Sequence, residues 1–315
     1  ARREGRANEL VGATVYTTLE PCHNHGRTPP CDALLIAARV ARVVIGVVDP
    51  DGQTDGRGRQ VLLDVGIEVV TGVGAELVEA SLAAYLHHRR SGRPYAVLKT
   101  AVSIDGCIAA ADGSSQWITS EAARHHAHGL RAASQAVVVG SSTVLADNPR
   151  LTVRSYPKAS ALGRHLNPLY PSSARQPLRV VLDGRGRVLD AAMAGSELHV
   201  FETSLAPTVV FTASSDKVAA AVAAGLVSDS VDGVRAVVVP RSGNGVGVDL
   251  GAVLAWLGRA GLLQIMIEGG ATLHAQFVAS GIFDEIHVYR GNTVLAGGKP
   301  WAGTSGSVGA GGSMA

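Results

Sequence analysis

The sequence predicts an α/β protein of two domains, and three observations carry that prediction. Runs of β-branched and aliphatic residues alternate with stretches of helical apolar spacing along nearly the whole chain, which implies largely parallel sheets with helical crossovers. The alternation breaks at His87-His88-Arg89-Arg90-Ser91-Gly92-Arg93-Pro94, a polar stretch ending in a proline that cannot continue a helix. A chain of 315 residues, 46% hydrophobic and 17% charged, has enough apolar side chains for two ordinary cores. The domains are therefore placed at 1–92 and 93–302, followed by a Gly/Ser-rich tail over 303–315.

In the first domain, residues 11–18 read as a strand. A cysteine-containing loop follows, and 32–39 carries helical Leu and Ile spacing behind Pro29-Pro30, which puts Cys31 at a helix start. Residues 43–48 form a β-branched run, 59–65 a helix, 67–70 a strand and 75–88 a last amphipathic helix. The second domain repeats the pattern, with strands at 96–103, 136–140, 179–182, 198–201, 209–212, 234–239, 264–267 and 285–289. Its helices are read at 120–133, 217–224, 250–260 and 271–279, and the aperiodic stretch 155–176, rich in Pro, Ser, Ala and Tyr, as a long surface loop.

A formal charge of +2 is too small for a nucleic-acid face, although local Arg and His clusters remain suited to a phosphate on a small molecule. No segment approaches the roughly 18 uninterrupted apolar residues of a membrane span. Three cysteines, at 22, 31 and 107, point to metal ligation rather than a secreted disulfide framework, so a cytoplasmic protein with no membrane or nucleic-acid partner is expected. Two sheets with uncovered faces make a homo-oligomer the expected assembly.

The densest motif is Pro21-Cys22-His23-Asn24-His25-Gly26-Arg27-Thr28-Pro29-Pro30-Cys31. Hydrolytic zinc sites of base deaminases use one His and two Cys, with a Glu two residues after the His carrying the proton. Cys22 and Cys31 supply two of these ligands; spacing alone would suit two buried cysteines equally well, and it is the flanking Thr18-Leu19-Glu20-Pro21 and Thr28-Pro29-Pro30 that favour a metal. No His-x-Glu precedes Cys22. Zinc short of its four ligands is expected to bind weakly.

At these residues the chain resembles the deaminase domain of the bifunctional riboflavin biosynthesis enzymes, which are diaminohydroxyphosphoribosylaminopyrimidine deaminases and 5-amino-6-(5-phosphoribosylamino)uracil reductases. Thr17-Thr18-Leu19-Glu20-Pro21-Cys22, His23, Gly26 and Thr28-Pro29-Pro30-Cys31 carry the likeness, and Asp49-Pro50 and Gly56-Arg57-Gly58 resemble the segment that follows. The resemblance implies a cytidine-deaminase-like fold for 1–92, truncated before its His-Ala-Glu segment and hence without deaminase turnover. It places the cysteine loop around the substrate and leaves Arg27 facing the substrate phosphate or solvent.

Four further segments follow strand ends or open helices: Lys99-Thr100-Ala101-Val102-Ser103-Ile104-Asp105-Gly106, Ser115-Gln116-Trp117-Ile118-Thr119-Ser120, 140–154, and Ile267-Glu268-Gly269-Gly270-Ala271. Ligands gather at the carboxyl ends of strands in open α/β sheets, so their convergence marks a site. Glycines after an apolar strand let a phosphate approach the backbone, and no G-x-G-x-x-G accompanies them, which argues against an ordinary Rossmann dinucleotide site. The set resembles the reductase domain of the same family, whose fold is similar to dihydrofolate reductase. That resemblance implies NADPH contacts at Ala101, Trp117, Thr143, Asp147, Gly269, Gly270 and Ala271. It implies that Ser115, Arg131, Leu151, Arg154 and Glu268 hold a pyrimidine ribosyl phosphate, with Lys99 and Asp105 close by. By analogy with arginines that accommodate NADP elsewhere, Arg185 or Arg187 is the candidate for the adenosine 2′-phosphate. A second reading keeps the reductase and makes the first domain a silent scaffold; a third is a non-enzymatic nucleotide-sensing module.

Overall fold

A computed structural model describes residues 7–25, 28–52, 54–115, 117–154, 176–228, 233–243, 245 and 247–301. The chain divides into two compact units, residues 1–93 and 94–315. The loop read at 155–176, except Gln176, and the tail at 303–315 lie outside the described residues, as do Gly26 and Arg27.

In the first unit, strands β1 (Thr14–Leu19), β2 (Arg42–Val47) and β3 (Glu68–Thr71) form a parallel sheet in that order. Helices α1 (Cys31–Ala37), α2 (Arg57–Asp64), α3 (Ala75–Ser81) and α4 (Ala83–Ser91) accompany it. Val43, Ile45, Leu62 and Ile67 are at its core, and Val40 closes it. The helix read over 75–88 is instead two helices, parted at Leu82 with φ −109° and ψ 15°, outside the helical well.

The second unit holds β4 (Tyr95–Val102), β5 (Cys107–Ala109), α5 (Glu121–Ala133), β6 (Ala136–Gly140), α6 (Ser141–Asp147), β7 (Leu178–Leu182), α7 (Arg187–Met193) and β8 (Thr208–Thr212). It continues with α8 (Ser215–Ala223), β9 (Val234–Val238), α9 (Leu250–Arg259), β10 (Gln264–Gly269), α10 (Ala271–Ser280), β11 (Glu285–Arg290) and β12 (Lys299–Pro300). Seven strands make one parallel sheet in the order β11-β4-β10-β6-β7-β8-β9. Strands β5 and β12 pair antiparallel as a separate two-stranded ribbon.

Continuous apolar runs in β6, β7 and β8 follow from burial on both faces, because neighbouring side chains point to opposite sides. Ala136, Val138, Val180, Leu182, Val209 and Phe211 join α9 and α10 on one face. Val137, Val139, Val181 and Val210 pack with Val144 of α6, Val188 and Leu189 of α7 and Ala221 of α8 on the other.

The strand read at 198–201 is corrected: His199–Phe201 is a turn of 3-10 helix. The fully buried Arg179 of β7 explains it, since its guanidinium donates to the carbonyls of His199 (2.7 Å), Glu202 (3.0 Å) and Ala206. Carbonyls gathered around one cation are not available to a strand ladder. Among the described residues no helix is long and apolar enough to cross a membrane.

Candidate active site

Because the seven strands are parallel, their carboxyl ends share one edge, and there β10, β4 and β6 deliver the segments singled out in the sequence. Strand β10 ends in Glu268-Gly269, Gly270 caps α10, and the Gly269–Gly270 peptide is cis. Gly269 has φ +114°, a conformation open to glycine, and a Cβ there would lie 3.1 Å from Cε1 of His274. Gly270 sits over Thr143, whose Oγ1 would be 3.3 Å from an added Cβ.

On one side of this turn is a cluster of charged groups. Arg131, at the end of α5, forms a two-pronged pair with Glu268, Nε to Oε1 and Nη2 to Oε2 both at 2.7 Å, while Nη1 donates to the Thr152 carbonyl at 2.5 Å. Burial works against the Glu268 charge, but the charge and hydrogen bonds of Arg131, helped by Lys99 and His128, hold its carboxyl below the ordinary value. Burial pushes the Lys99 amine down, Glu268 opposes that shift and Arg131 adds to it. Lys99 also lies 5.7 Å from the Tyr289 ring centre, and the Tyr289 hydroxyl is 2.7 Å from Nδ1 of His126. His128 is pushed down to about 4 by burial, with Arg131 and Arg154 adding to it.

On the other side opens a cavity of about 530 Å³. Ser115, Thr143, Asp147, Gly270 and Ala271 line it, as do Arg185, Arg187 and Lys299. Burial raises the Asp147 carboxyl, and Lys299 counters it. The ribbon contributes Ile108 and Ala109 from β5 and Lys299 from β12.

Other residues expected at the site stand in different settings around this edge. Ala101 does not line this cavity; it stands in β4 opposite Tyr289 of β11. Trp117 is also outside the lining, 66% exposed, with the Arg124 guanidinium 4.3 Å over its ring. Leu151 is buried in the core beside Val144 with φ +54°, so only its backbone is free to meet a ligand. Arg131 directs three of its five N–H groups to Glu268 and Thr152, whereas Arg154 is exposed, its backbone N–H 3.4 Å from Nδ1 of His128. Asp105 accepts from the Ser103 hydroxyl (2.6 Å) and the Leu295 N–H (3.1 Å) and so shapes a turn.

Lys299, His274, Trp301 and His128 were not legible as site residues. The buried His274 directs Nε2 towards the Ile267 carbonyl at 3.3 Å, and its Nδ1 accepts from the Trp301 indole N–H at 2.9 Å. Trp301, next to β12, thereby braces the turn at Gly269 from behind. A lone Lys or Trp in a Gly-rich segment carries no spacing signal, so only the fold reveals them.

In the first unit Cys22 and Cys31 do meet, Sγ to Sγ at 3.2 Å. Two thiolates about 2.3 Å from a tetrahedral zinc stand roughly 3.8 Å apart. Burial raises the Cys31 thiol, and the contact with Cys22 adds to that. Nδ1 of His23 is taken by Asp32 at 2.6 Å. Among the described residues no group of three or more His, Cys, Asp or Glu is placed to hold a metal ion, and the two sulfurs stand closer than a shared zinc would set them.

Comparison with known proteins agrees in extent with this picture. The family model described as the RibD C-terminal domain matches residues 94–309. The riboflavin biosynthesis protein RibD of Chlamydia pneumoniae is 38% identical over 303 residues, covering 95% of this chain and 73% of that protein. Its namesake in Escherichia coli K12 is 38% identical over 279 residues, 88% of this chain and 70% of that one. Among solved structures, RibD of Acinetobacter baumannii superposes with a TM-score of 0.78 at 32% identity, covering 98% of this chain and 77% of that one. A diaminohydroxyphosphoribosylaminopyrimidine deaminase/5-amino-6-(5-phosphoribosylamino)uracil reductase from Thermotoga maritima gives 0.75 at 30% identity, with 96% and 73% covered.

Proposed function

The chain belongs to the RibD family of riboflavin biosynthesis proteins, and from that premise we propose that its second unit is an NADPH-dependent reductase of 5-amino-6-(5-phosphoribosylamino)uracil. The observation that carries the reading is that one turn, Glu268-Gly269-Gly270, joins the ion pair of Glu268 with Arg131 to a cavity lined by Arg185, Arg187 and Lys299.

The cavity residues fit a phosphorylated dinucleotide: Gly270 and the start of α10 offer backbone N–H groups to a diphosphate, while Thr143 and Asp147 offer polar groups to the rest. When bound, the cofactor supplies a hydride to C1′ of the ring-opened ribosylamino imine, giving the ribityl chain. Glu268, kept ionised by Arg131, faces the protonated imine nitrogen and stabilises its positive charge before reduction. The proton then stays on the product amine, so the protein orients and need not transfer it. Arg154, with His128 alongside, receives the substrate phosphate, and the guanidinium fork suits that geometry. Ser115 and the backbone of Leu151 close around the sugar, with Lys99 beneath.

For the first unit the family activity is hydrolytic deamination of the corresponding diaminopyrimidine. Cys22 and Cys31 supply half of the ligand set for it, and no step is derived through the metal. The reductase reading is tested by following NADPH oxidation at 340 nm with the deaminated ribosylamino phosphate. Oxidation that depends on this substrate, with the ribitylamino product detected by mass, is the expected result, and its absence overturns the reading.

A further inference from the structure

Strands β4 and β11 run parallel, with Lys99 opposite His287 and Ala101 opposite Tyr289. Residues two apart on a strand share a face, so Lys99, His287 and Tyr289 stand on one side of the sheet. On that side α5 brings Nδ1 of His126 to 2.7 Å from the Tyr289 hydroxyl, the two rings 5.8 Å apart and inclined at 58°. Burial pushes the Tyr289 hydroxyl up to about 12, so it stays a neutral phenol over the working range of the protein. His287 is engaged elsewhere, with Nε2 2.6 Å from Oε1 of Glu285. His126 is thus the partner that sets the Tyr289 ring.

What the ring meets is Lys99, whose Nζ lies 5.7 Å from its centre. Among the described residues no hydrogen bond and no ion pair within 4.0 Å ends on this ammonium, although Glu268 and Arg131 both act on it through their charge. The contrast with Arg131 is direct, since Arg131 is tied to the same Glu268 by two N–H groups. An aromatic face attracts a cation without taking an N–H into a directional bond. All three donors of the ammonium therefore remain for a ligand. Without the ring, the nearest attraction left to Lys99 is the Glu268 carboxylate, and an ammonium that closes onto it spends those donors inside the protein.

We propose that Tyr289, its ring set by His126, is a positioning residue of the reductase site: it holds the Lys99 side chain apart from Glu268, so that the N–H groups of Lys99 are left for the substrate. The proposal rests on the reductase reading and adds to it two side chains that act through Lys99 rather than on the substrate.

Steady-state reduction is measured for the parent, Tyr289→Phe, Tyr289→Leu, Lys99→Met and the double variant Lys99→Met/Tyr289→Leu. Loss of the ring lowers kcat/KM for the ribosylamino substrate by about tenfold and leaves KM for NADPH within about a factor of two, whereas Tyr289→Phe, which keeps the ring, retains at least about a third of parent activity. In the Lys99→Met background the Leu change costs less than about twofold, because the group it acts through is gone. Equal losses in both backgrounds, or a Phe variant as impaired as the Leu variant, overturn the assignment. A readout independent of turnover is the proton–carbon spectrum of lysine labelled with carbon-13 at Cε, in a chain whose lysines are Lys99, Lys158, Lys217 and Lys299. The signal lost in Lys99→Met identifies Lys99. Shielding by the ring displaces its Hε resonance upfield from that of free lysine; the displacement persists in Tyr289→Phe and vanishes in Tyr289→Leu. An undisplaced resonance in the parent overturns the assignment even where a variant fails to fold. A parent with the displaced resonance that oxidises no NADPH in the presence of the uracil substrate sinks the reductase reading and leaves the ring contact standing.

Discussion

Glu20 and Glu268 both stand at the carboxyl ends of parallel strands, Glu20 directly after β1 and Glu268 in β10, yet they keep different company. Glu20 is buried and accepts from the backbone N–H groups of Asp49 (3.2 Å), Gly56 (3.0 Å) and Arg59 (2.8 Å). Glu268 accepts from the side chain of Arg131, with Lys99 and His128 near enough to act on its charge. Backbone donors are fixed by the fold, so the first carboxylate ties a loop and a helix start to β1. Side-chain cations are able to reorganise around a ligand, so the second carboxylate is available for chemistry. Residue type is the same and both stand at strand ends; the origin of the donors separates an acid tied to the backbone from one held by side chains.

That contrast breaks most easily at Glu20. Glu20→Ala leaves three backbone donors, one buried and two part-buried, without their acceptor, which at ~1 kcal/mol each removes about 3 kcal/mol from the first unit. Limited proteolysis is expected to cut within residues 1–93 while the second unit stays resistant and retains reductase turnover; unchanged resistance of the first unit refutes the structural role. Glu268→Gln keeps the shape and removes the charge. It is expected to lower kcat/KM for the ribosylamino substrate by about 10²-fold, or roughly 2.7 kcal/mol, with a small change in Tm. A large fall in Tm with normal turnover would place Glu268 in the same class as Glu20.

Trp301→Phe sharpens the comparison on the functional side, because it removes the N–H that His274 accepts behind the turn. A loss of about 1 kcal/mol is expected, read as a roughly fivefold rise in KM for NADPH with kcat unchanged. Unaltered KM would show that the brace at Gly269 does not reach the cofactor. The smallest effect is on pH dependence. His128 titrates at about 4 in the folded protein against an ordinary 6.5, so between those values the unfolded chain binds the extra proton and stability falls as pH drops through that window. His128→Gln is expected to flatten the fall in Tm between pH 6.5 and pH 4, and an identical slope would show that neither burial nor Arg131 and Arg154 depress the imidazole.

Much of this was legible beforehand, and the reasons are local. Strands such as β6 and β7 announce themselves because burial on both faces demands unbroken aliphatic runs. Glu268-Gly269-Gly270 stood out because a strand that ends in glycines implies close approach. Misreadings occurred where a distant partner overruled the local pattern. His199–Phe201 has strand-forming residues, but Arg179 draws the carbonyls of His199 and Glu202 to itself. Helix α7 was missed because it opens with Gly186-Arg187, a turn signal, and is completed only by the Asp183 cap.

The chain's own letters determined the α/β alternation, the division near Arg93, the cysteine frame and the segments that feed the sheet edge, since each depends on periodicity or on neighbours a few residues away. Only the tertiary structure decided that Arg131 is committed to Glu268 across 137 residues, that Arg154 stands exposed beside His128, and that Lys299 and Trp301 return to the cavity and its turn. The physical reason is that a side chain's role follows from the field and donors around it, and in a sheet whose neighbouring strands are far apart in sequence those surroundings come from other segments of the chain.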